Sequence, residues 1–520
     1  MHTARRAPAP ARTLTGAASL NALAYGLDYG VRAVVELVVS PLLVSGLGPA
    51  VYGAWRVLLQ WSSYVWGTSG RSAQALQSAL SNRQWTARPD EKRALVGAAV
   101  VVWLVFLPLL LVTGGMGVWL GPGILGVPDA QVTAFRVAAG MLVLDAMAVT
   151  LVTLPRSALQ GENLGYARLG LSTVLVVLGG TLLALAATTG TGLPGMAAAT
   201  VTTTLLTGWT FWLICRRRLA WFGVARPSRS LVGWFLRLSA WFLGWKFVLE
   251  LLLASDVLLL AVFTSLSLVA AYALSKWVAD ALAQVLALLV QATIPGIGGY
   301  LGRGATTTAA RLRGEVMSLV WLVGTATGAT IVVWNGTFVG LWVGPRLYIG
   351  VPGTVLVVVL ALQVALIRTD TFILDVSLRP RVKVVAGLAA AAVSLVLAAA
   401  AVGPLNLGVV GLCGGLVLGR AVLGVVAPVA VGRHLGVPLR GQVRASLRPG
   451  LVTAALLAAA AWAAPSAPTG SWWLLVTGTA LTVGAVGVVA WFGGLDRAQR
   501  RRLGNRLRAL RGRAGTGARR

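Results

Sequence analysis

Glu36, Tyr52 and Arg56 recur 220 residues later as Asp256, Tyr272 and Lys276, the same residue classes at the same spacing within otherwise apolar sequence. At the same offset Gln60 meets Asp280, Arg83 meets Arg303 and Arg93 meets Arg313. A carboxylate, a phenol and a cation placed inside apolar helices can neutralise one another, carry a coupling ion, or receive a charged solute. A lipid-facing helix has no use for them, because charge inside a membrane is tolerated only where water, a counter-ion or a substrate meets it. The repeated set therefore points to a duplicated transporter with a polar interior.

Further charges follow the same logic. Asp28, Arg32 and Glu36 are four residues apart, so on a helix they stack along one face over about 12 Å. Each would cost roughly 2.5 to 3.5 kcal/mol at mid-bilayer, so this face turns inward, although i,i+4 pairing would let the ladder neutralise itself. In the next segment Arg56, Gln60, Ser63, Gly67, Gly70, Arg71, Gln74 and Ser78 share one face at helical spacing. Lys276, Asp280, Gln284 and Gln291 repeat the device, while Lys246, Glu250 and Asp256 come from the segment before them. Asp145 adds one more acid. Four such faces would line a common cleft; the competing explanation is hydrogen bonding between helices of a tight bundle.

The elements that must carry these residues are membrane-spanning helices. Of the 520 residues, 57% are hydrophobic and 11% charged, and mean hydropathy is +0.82, against roughly a quarter charged in soluble domains. Apolar segments fall at 18–46, 52–80, 93–118, 134–160, 166–189 and 193–215, then at 231–262, 266–298, 314–343, 351–378, 382–402 and 408–432, with a final pair at 449–465 and 472–494. The reading is an all-α polytopic protein of about fourteen transmembrane helices. Two pseudo-symmetric six-helix bundles, 18–215 and 231–432, would surround a central cavity and be joined by a linker, 216–230. Residues 1–17 form a basic tail, 433–494 a loop with the extra helix pair, and 495–520 a polybasic tail.

Charge in the connections tests this count. Alternate connections, including 83–93, 156–168, 216–229, 303–313, 379–383 and 433–448, are rich in Lys and Arg, whereas the opposite side carries only Arg346. This is the positive-inside pattern, with both termini cytoplasmic and the even repeats related by an axis along the membrane normal.

The same pattern accounts for most of the net charge of +30. The tail from Arg497 to Arg520 is expected against the anionic inner leaflet, where each cation contributes about 1 kcal/mol, rather than on nucleic acid. Cys215 and Cys413 sit in apolar sequence and read as packing residues, while His2 and His434 lie in a basic tail and a basic loop. No metal site, catalytic dyad or cofactor motif is expected. The glycine-rich stretch GIGGYLGRG at 296–304 reads as a helix exit rather than a phosphate loop, and no connection is long enough for a catalytic domain.

The stretch SPLLVSGLGPAVYGAWRVLLQW after a polar first helix, the loop RSALQGENLGYARLG, and the two six-helix halves resemble oligosaccharide flippases of the multidrug/oligosaccharidyl-lipid/polysaccharide (MOP) exporter superfamily. The resemblance implies a bacterial cytoplasmic-membrane protein that moves an undecaprenyl-pyrophosphate-linked sugar repeat outward by alternating access, for cell-surface polysaccharide synthesis. It also implies polysaccharide polymerase and glycosyltransferases as functional partners. The extra helix pair resembles the fourteen-helix lipid II flippases, and a multidrug or cation antiporter of the same superfamily is the other alternative.

Such a substrate needs cations for its pyrophosphate. Arg32, Arg56, Arg71, Lys246 and Lys276 are the candidates, Arg being suited to bidentate phosphate binding. Gln60, Gln74, Gln284 and Gln291, with the aromatic faces of Tyr25, Trp61 and Trp277, are candidates for the glycan. Asp28, Glu36, Asp145, Glu250, Asp256 and Asp280 would balance charge or carry a coupling proton or sodium ion. A membrane potential of 100 mV, negative inside, would add about 2.3 kcal/mol per anionic charge moved outward.

Overall fold

The computed structural model describes residues 11–504 apart from 84–86, 163, 165–169, 254, 292, 294–296, 298, 299, 302, 303, 377–379 and 469. Side chains are described from Tyr29 on, save those of 82, 241, 375, 376 and 380–382. Asp28 and Tyr25 lie outside the described side chains, and the far end of the basic tail lies beyond the described residues.

Contacts divide the chain into two compact units, Met1–Glu250 and Leu251–Arg520. The first contains α1 (Ala11–Leu47), α2 (Pro49–Gly67), α3 (Ser72–Asn82), α4 (Pro89–Ile124), α5 (Asp129–Gly161), α6 (Leu171–Thr188), α7 (Gly192–Arg218) and most of α8 (Arg229–Leu253). The second contains α9 (Ser255–Phe263), α10 (Leu266–Gln291), α11 (Thr306–Trp342), α12 (Gly350–Val376), α13 (Pro380–Val402), α14 (Gly408–Leu435), α15 (Leu439–Ala463) and α16 (Trp472–Val489). No strand occurs among the described residues. Helices satisfy their backbone polar groups internally, as an apolar surrounding demands.

Among the described residues twelve helices are long and apolar enough to cross a membrane, and the chain is a multi-pass membrane protein. The fourteen expected crossings include two more, at 52–80 and 231–262. These correspond to α2–α3 and α8–α9, the stretches that carry Arg56, Arg71, Lys246, Glu250 and Asp256. α3 and α9, of 11 and 9 residues, are too short to cross alone, and α2 and α8 are not apolar enough.

The stretch 52–80 is not one continuous helix, contrary to expectation. It turns at residues 68–71, where Gly70 has φ 77° and Arg71 has φ 52°. Gly70 is required twice over, since it takes a positive φ and a Cβ there would stand 2.3 Å from the Phe106 ring. The polar face from Arg56 to Ser78 is consequently split between two helices.

Both units pack in one pattern. In the first, α4 packs on α5, α5 on α7, and α6 on α7; in the second, α11 packs on α12, α12 on α14, and α13 on α14. The core of the first unit gathers Leu76, Leu95, Val102, Leu159, Phe211 and Phe235 from five helices. In the second, Gly411, Gly415 and Gly419 bring α14 against α13: a Cβ on Gly415 would lie 2.5 Å from the Ala398 nitrogen, and one on Gly419 2.2 Å from the Ser394 Cα. Small residues at four-residue spacing let two helix backbones approach closely.

The extra pair, α15 and α16, is fastened to α11. Thr325 and Thr453 share a hydrogen bond of 2.6 Å, the Trp334 indole donates to Thr482 at 3.0 Å, and Thr337 donates to the Pro468 carbonyl at 3.2 Å. The outer surface of the pair is apolar, with Trp462, Trp473 and Leu481 exposed.

Candidate functional site

The repeated residues form the same bond in each unit. In the first, Arg56 Nη1 lies 3.0 Å from Glu36 Oε1, joining α2 to α1. In the second, Lys276 Nζ lies 2.5 Å from Asp256 Oδ2, joining α10 to α9. The Tyr272 hydroxyl donates to that same Asp256 oxygen at 2.7 Å, while Tyr52 is buried beside the first pair. Their settings differ. The Glu36 and Arg56 side chains are 39% and 29% exposed, whereas Asp256 and Lys276 are 2% and 15% exposed.

The Glu36–Arg56 pair lines a cavity of about 650 Å³ within the first unit, enclosed by α1, α2, α5, α6 and α7. Arg32 and Arg156 line it as well, so three guanidiniums face it against the single carboxylate of Glu36. Hydroxyls line the same cavity, with Thr200, Thr203, Thr204 and Thr207 on α7. Thr200, Thr203 and Thr207 donate to carbonyls of their own helix at 2.7 to 3.0 Å. Their protons are thereby used, and the oxygens retain lone pairs for donors in the cavity. Asp145 is buried on α5 next to Thr204, and its Oδ1 has no hydrogen-bond partner among the described residues.

A second polar cluster in the first unit contains five more of the expected residues. Lys246 and Glu250 form an ion pair one turn apart on α8. The Ser63 hydroxyl lies 3.0 Å from Glu250 Oε2, and the Gln60 amide donates to Ser63 at 3.1 Å. Arg71 and Lys246 both lie over the Trp66 ring, at 4.8 and 5.7 Å from its centroid. Arg71 also donates to Gln74 at 2.8 Å. Arg71 and Gln74 thus belong with Lys246 around Trp66 and are not among the residues lining the Arg56 cavity.

The remaining expected residues are dispersed within the second unit. Asp280, 57% exposed, lies 3.7 Å from Lys276 one turn along α10. Gln284 accepts from Arg368 at 3.4 Å, and Gln291 is exposed at the end of α10. The aromatic candidates pack instead of standing free. A Cβ on Gly117 would meet the Trp61 ring at 2.2 Å, and Trp277 stacks on Phe338 with centroids 6.0 Å apart.

Sequence reasoning missed several charges. Arg156, which the sequence places both at the end of the segment 134–160 and at the start of a basic connection, lies on α5 and lines the cavity. Arg420, Arg368 and Asp370 lie in segments read as transmembrane, and the intramembrane-charge criterion applied elsewhere would have found them. Arg420 is 4% exposed and donates to the Leu252 carbonyl. Arg313 Nε lies 2.6 Å from Asp370 Oδ1, and Arg313 Nη2 donates to Gln442 at 2.8 Å. The first unit has a similar bond at the start of α4, where Lys92 Nζ lies 2.6 Å from Glu162 Oε1 at the end of α5. Among the described residues no group of three acidic, His or Cys side chains is arranged to hold a metal ion.

Residues 20–300, which carry both repeated pairs, match the polysaccharide biosynthesis protein family. The chain belongs to that family. No curated protein sequence matches this family member. Its fold is similar to that of the lipid II flippase MurJ in an inward closed conformation, with a TM-score of 0.66, 9% identity, and coverage of 90% of this chain and 97% of that one. It is also similar to a multidrug resistance MATE family transporter of the MOP superfamily in an inward-facing conformation, with a TM-score of 0.62, 15% identity, and coverage of 78% and 94%. An outward-facing MATE structure aligns with a TM-score of 0.54, 16% identity, and coverage of 81% and 95%. Family and fold are thus those expected for a member of the MOP exporter superfamily.

Proposed function

We propose that this protein is a flippase that moves a lipid-linked oligosaccharide, joined to its polyprenyl carrier through pyrophosphate, across the bacterial cytoplasmic membrane for surface polysaccharide synthesis. The observation that carries the reading is the cavity in the first unit, lined by Arg32, Arg56 and Arg156 together with a row of threonine hydroxyls. Guanidiniums suit a pyrophosphate, and hydroxyl oxygens suit the hydroxyl donors of a sugar. A volume of about 650 Å³ is within the range of small-ligand sites, about 300 to 1,000 Å³.

Glu36 has a defined part in this reading. While the cavity is empty it neutralises Arg56; when a pyrophosphate enters, Arg56 exchanges one anionic partner for another. The half-exposed setting of the pair keeps that exchange inexpensive, because water reaches the carboxylate left behind. The lipid chain stays in the bilayer, and alternating access carries the head group outward. Both termini are cytoplasmic, and the basic tail lies on anionic lipid. Polymerase and glycosyltransferases supply and consume the substrate on the two sides.

The alternative, efflux of cationic drugs, sits poorly with a cavity that presents three guanidiniums and one carboxylate. Complementation separates the two. In a host lacking its own flippase for the same glycan, expression should restore surface polysaccharide and leave the tolerance of lipophilic cationic drugs unchanged. Raised drug tolerance without restored glycan would reject the reading.

A further inference from the structure

The two repeated ion pairs are alike in chemistry and unlike in setting, and the difference bears on how the second can act. Glu36 is open to a cavity, so Arg56 can leave it. Asp256 is 2% exposed, and removal of Lys276 would strand a buried carboxylate, a costly state unless another cation is present. One is present. Arg420 on α14 donates through Nη2 to the carbonyl of Leu252, four residues before Asp256 in the chain, and α14 packs against α9. Asp256 and Arg420 lie within electrostatic reach of each other, with Tyr272 and Cys413 as shared neighbours.

Arg420 is incompletely used. Its Nε is buried without a hydrogen-bond partner among the described residues, while the side chain as a whole is 4% exposed. A buried guanidinium donor anchored to the backbone four residues before Asp256, whose carboxylate already holds a lysine and a tyrosine, is a donor in reserve. Lys276 has the opposite character. Its side chain is 15% exposed, and its ammonium lies 3.7 Å from the more exposed Asp280, one turn along α10. The first unit differs at the corresponding position. Gly192 and Gly408 open α7 and α14 with φ of 60° and 52°, and twelve residues later α7 carries Thr204, a cavity residue, where α14 carries Arg420.

We infer that Arg420 is the standing counter-ion of Asp256 and thereby makes Lys276 the exchangeable cation of the second unit. Arg420 is a positioning residue that never meets the substrate. When Lys276 turns from Asp256 towards Asp280 or an incoming anion, the Nε–H of Arg420 takes its place on the carboxylate, and no bare charge is left in the core. The purpose of that release, contact with a pyrophosphate, rests on the flippase reading. The release itself does not.

Amine labelling reads the release directly. The chain has four lysines, Lys92, Lys246, Lys276 and Lys383, so an acylating reagent followed by peptide mass spectrometry resolves each of them in the purified full-length protein. With Arg420 replaced in R420M, Lys276 becomes the sole counter-ion of Asp256, and its labelling relative to Lys92 should fall about tenfold. R420K should stay near wild type, and R420M/D256N should recover fast labelling because only the exposed Asp280 then faces Lys276. Unchanged or faster labelling in R420M, or slow labelling persisting in R420M/D256N, would overturn the inference. If R420M fails to accumulate, D256N/R420M should accumulate normally, and equal failure of the two also overturns it. Glycan export by K276M, measured in parallel, reports on the flippase reading separately: full export with Lys276 labelling as described would reject the pyrophosphate contact and leave the Arg420 assignment standing.

Discussion

Lys276 Nζ lies 2.5 Å from Asp256 Oδ2, twenty residues earlier in the chain, and Arg56 stands in the same relation to Glu36 at 3.0 Å. A duplicated sequence has kept one ionic bond in both halves while changing every residue in it but the charge. The kept bond ties the first two membrane segments of each half. The changed surroundings give one pair an open cavity and the other a closed, doubly neutralised core.

Arg56 is the first residue to test. R56A should reduce glycan export at least tenfold, the loss of about 1.4 kcal/mol or more of binding, with normal abundance in the membrane. R56K should retain part of the activity, because a lysine supplies charge without the bidentate fork. E36Q should leave export nearer wild type than R56A does, since it removes only the resting partner of the arginine. Surface glycan quantified against protein level by immunoblot checks all three.

The buried pair predicts stability effects of unequal size. D256A leaves Lys276 and Arg420 without their shared anion, and removal of one partner from a buried pair costs about 3 to 5 kcal/mol. K276M should cost less, since Arg420 still faces Asp256. Thermal unfolding of the purified variants in one detergent should therefore place D256A well below K276M; equal midpoints would contradict the arrangement.

Much of this was legible in the sequence, and the reasons are physical. Long apolar runs and the alternation of basic connections mark membrane helices, because the bilayer forces both. The recurrence of Glu36 and Arg56 as Asp256 and Lys276 was visible as a duplicated spacing, although not the bond within each pair, and the multi-pass fold followed from the segment count. The break at Gly70 and Arg71 was not, since the polar residues keep helical spacing across the turn and hydropathy is blind to a positive φ. The glycines at 67 and 70 were the available hint. Pairings such as Arg313 with Asp370 join residues 57 apart on two helices, a contact that no local pattern encodes. Arg156 was hidden by its place at the end of a helix, where a cation reads as the start of a loop.

Close packing of α13 on α14 makes the glycine row there sensitive to size. G419L should lower the unfolding midpoint markedly and reduce the monodisperse fraction, because a Cβ already meets the Ser394 backbone at 2.2 Å. G414L, at a glycine with nothing within 4 Å of its Cβ position, should be tolerated. Fluorescence-detected size-exclusion chromatography after a temperature series checks the contrast.

Gln442 links the extra helices to the core, accepting from Arg313 and donating to the carbonyls of Pro428 and Val437 at 3.1 Å. Q442L should leave the Arg313–Asp370 pair in place yet loosen the start of α15, with a loss of about 1 to 3 kcal/mol for the buried groups left unsatisfied. Faster hydrogen exchange over residues 436–446, with α12 unchanged, is the expected signature.

The cationic cavity of the first unit is the proposed seat of an anionic, sugar-bearing head group. The most direct measurement is translocation of a fluorescent polyprenyl-pyrophosphate saccharide by the purified protein in proteoliposomes, read as protection from a membrane-impermeant quencher. Wild-type protein should translocate it, R56A should do so at least about tenfold more slowly, and inorganic pyrophosphate should compete. Translocation by R56A at the wild-type rate, or by wild-type protein of a cationic analogue in its place, would contradict the account.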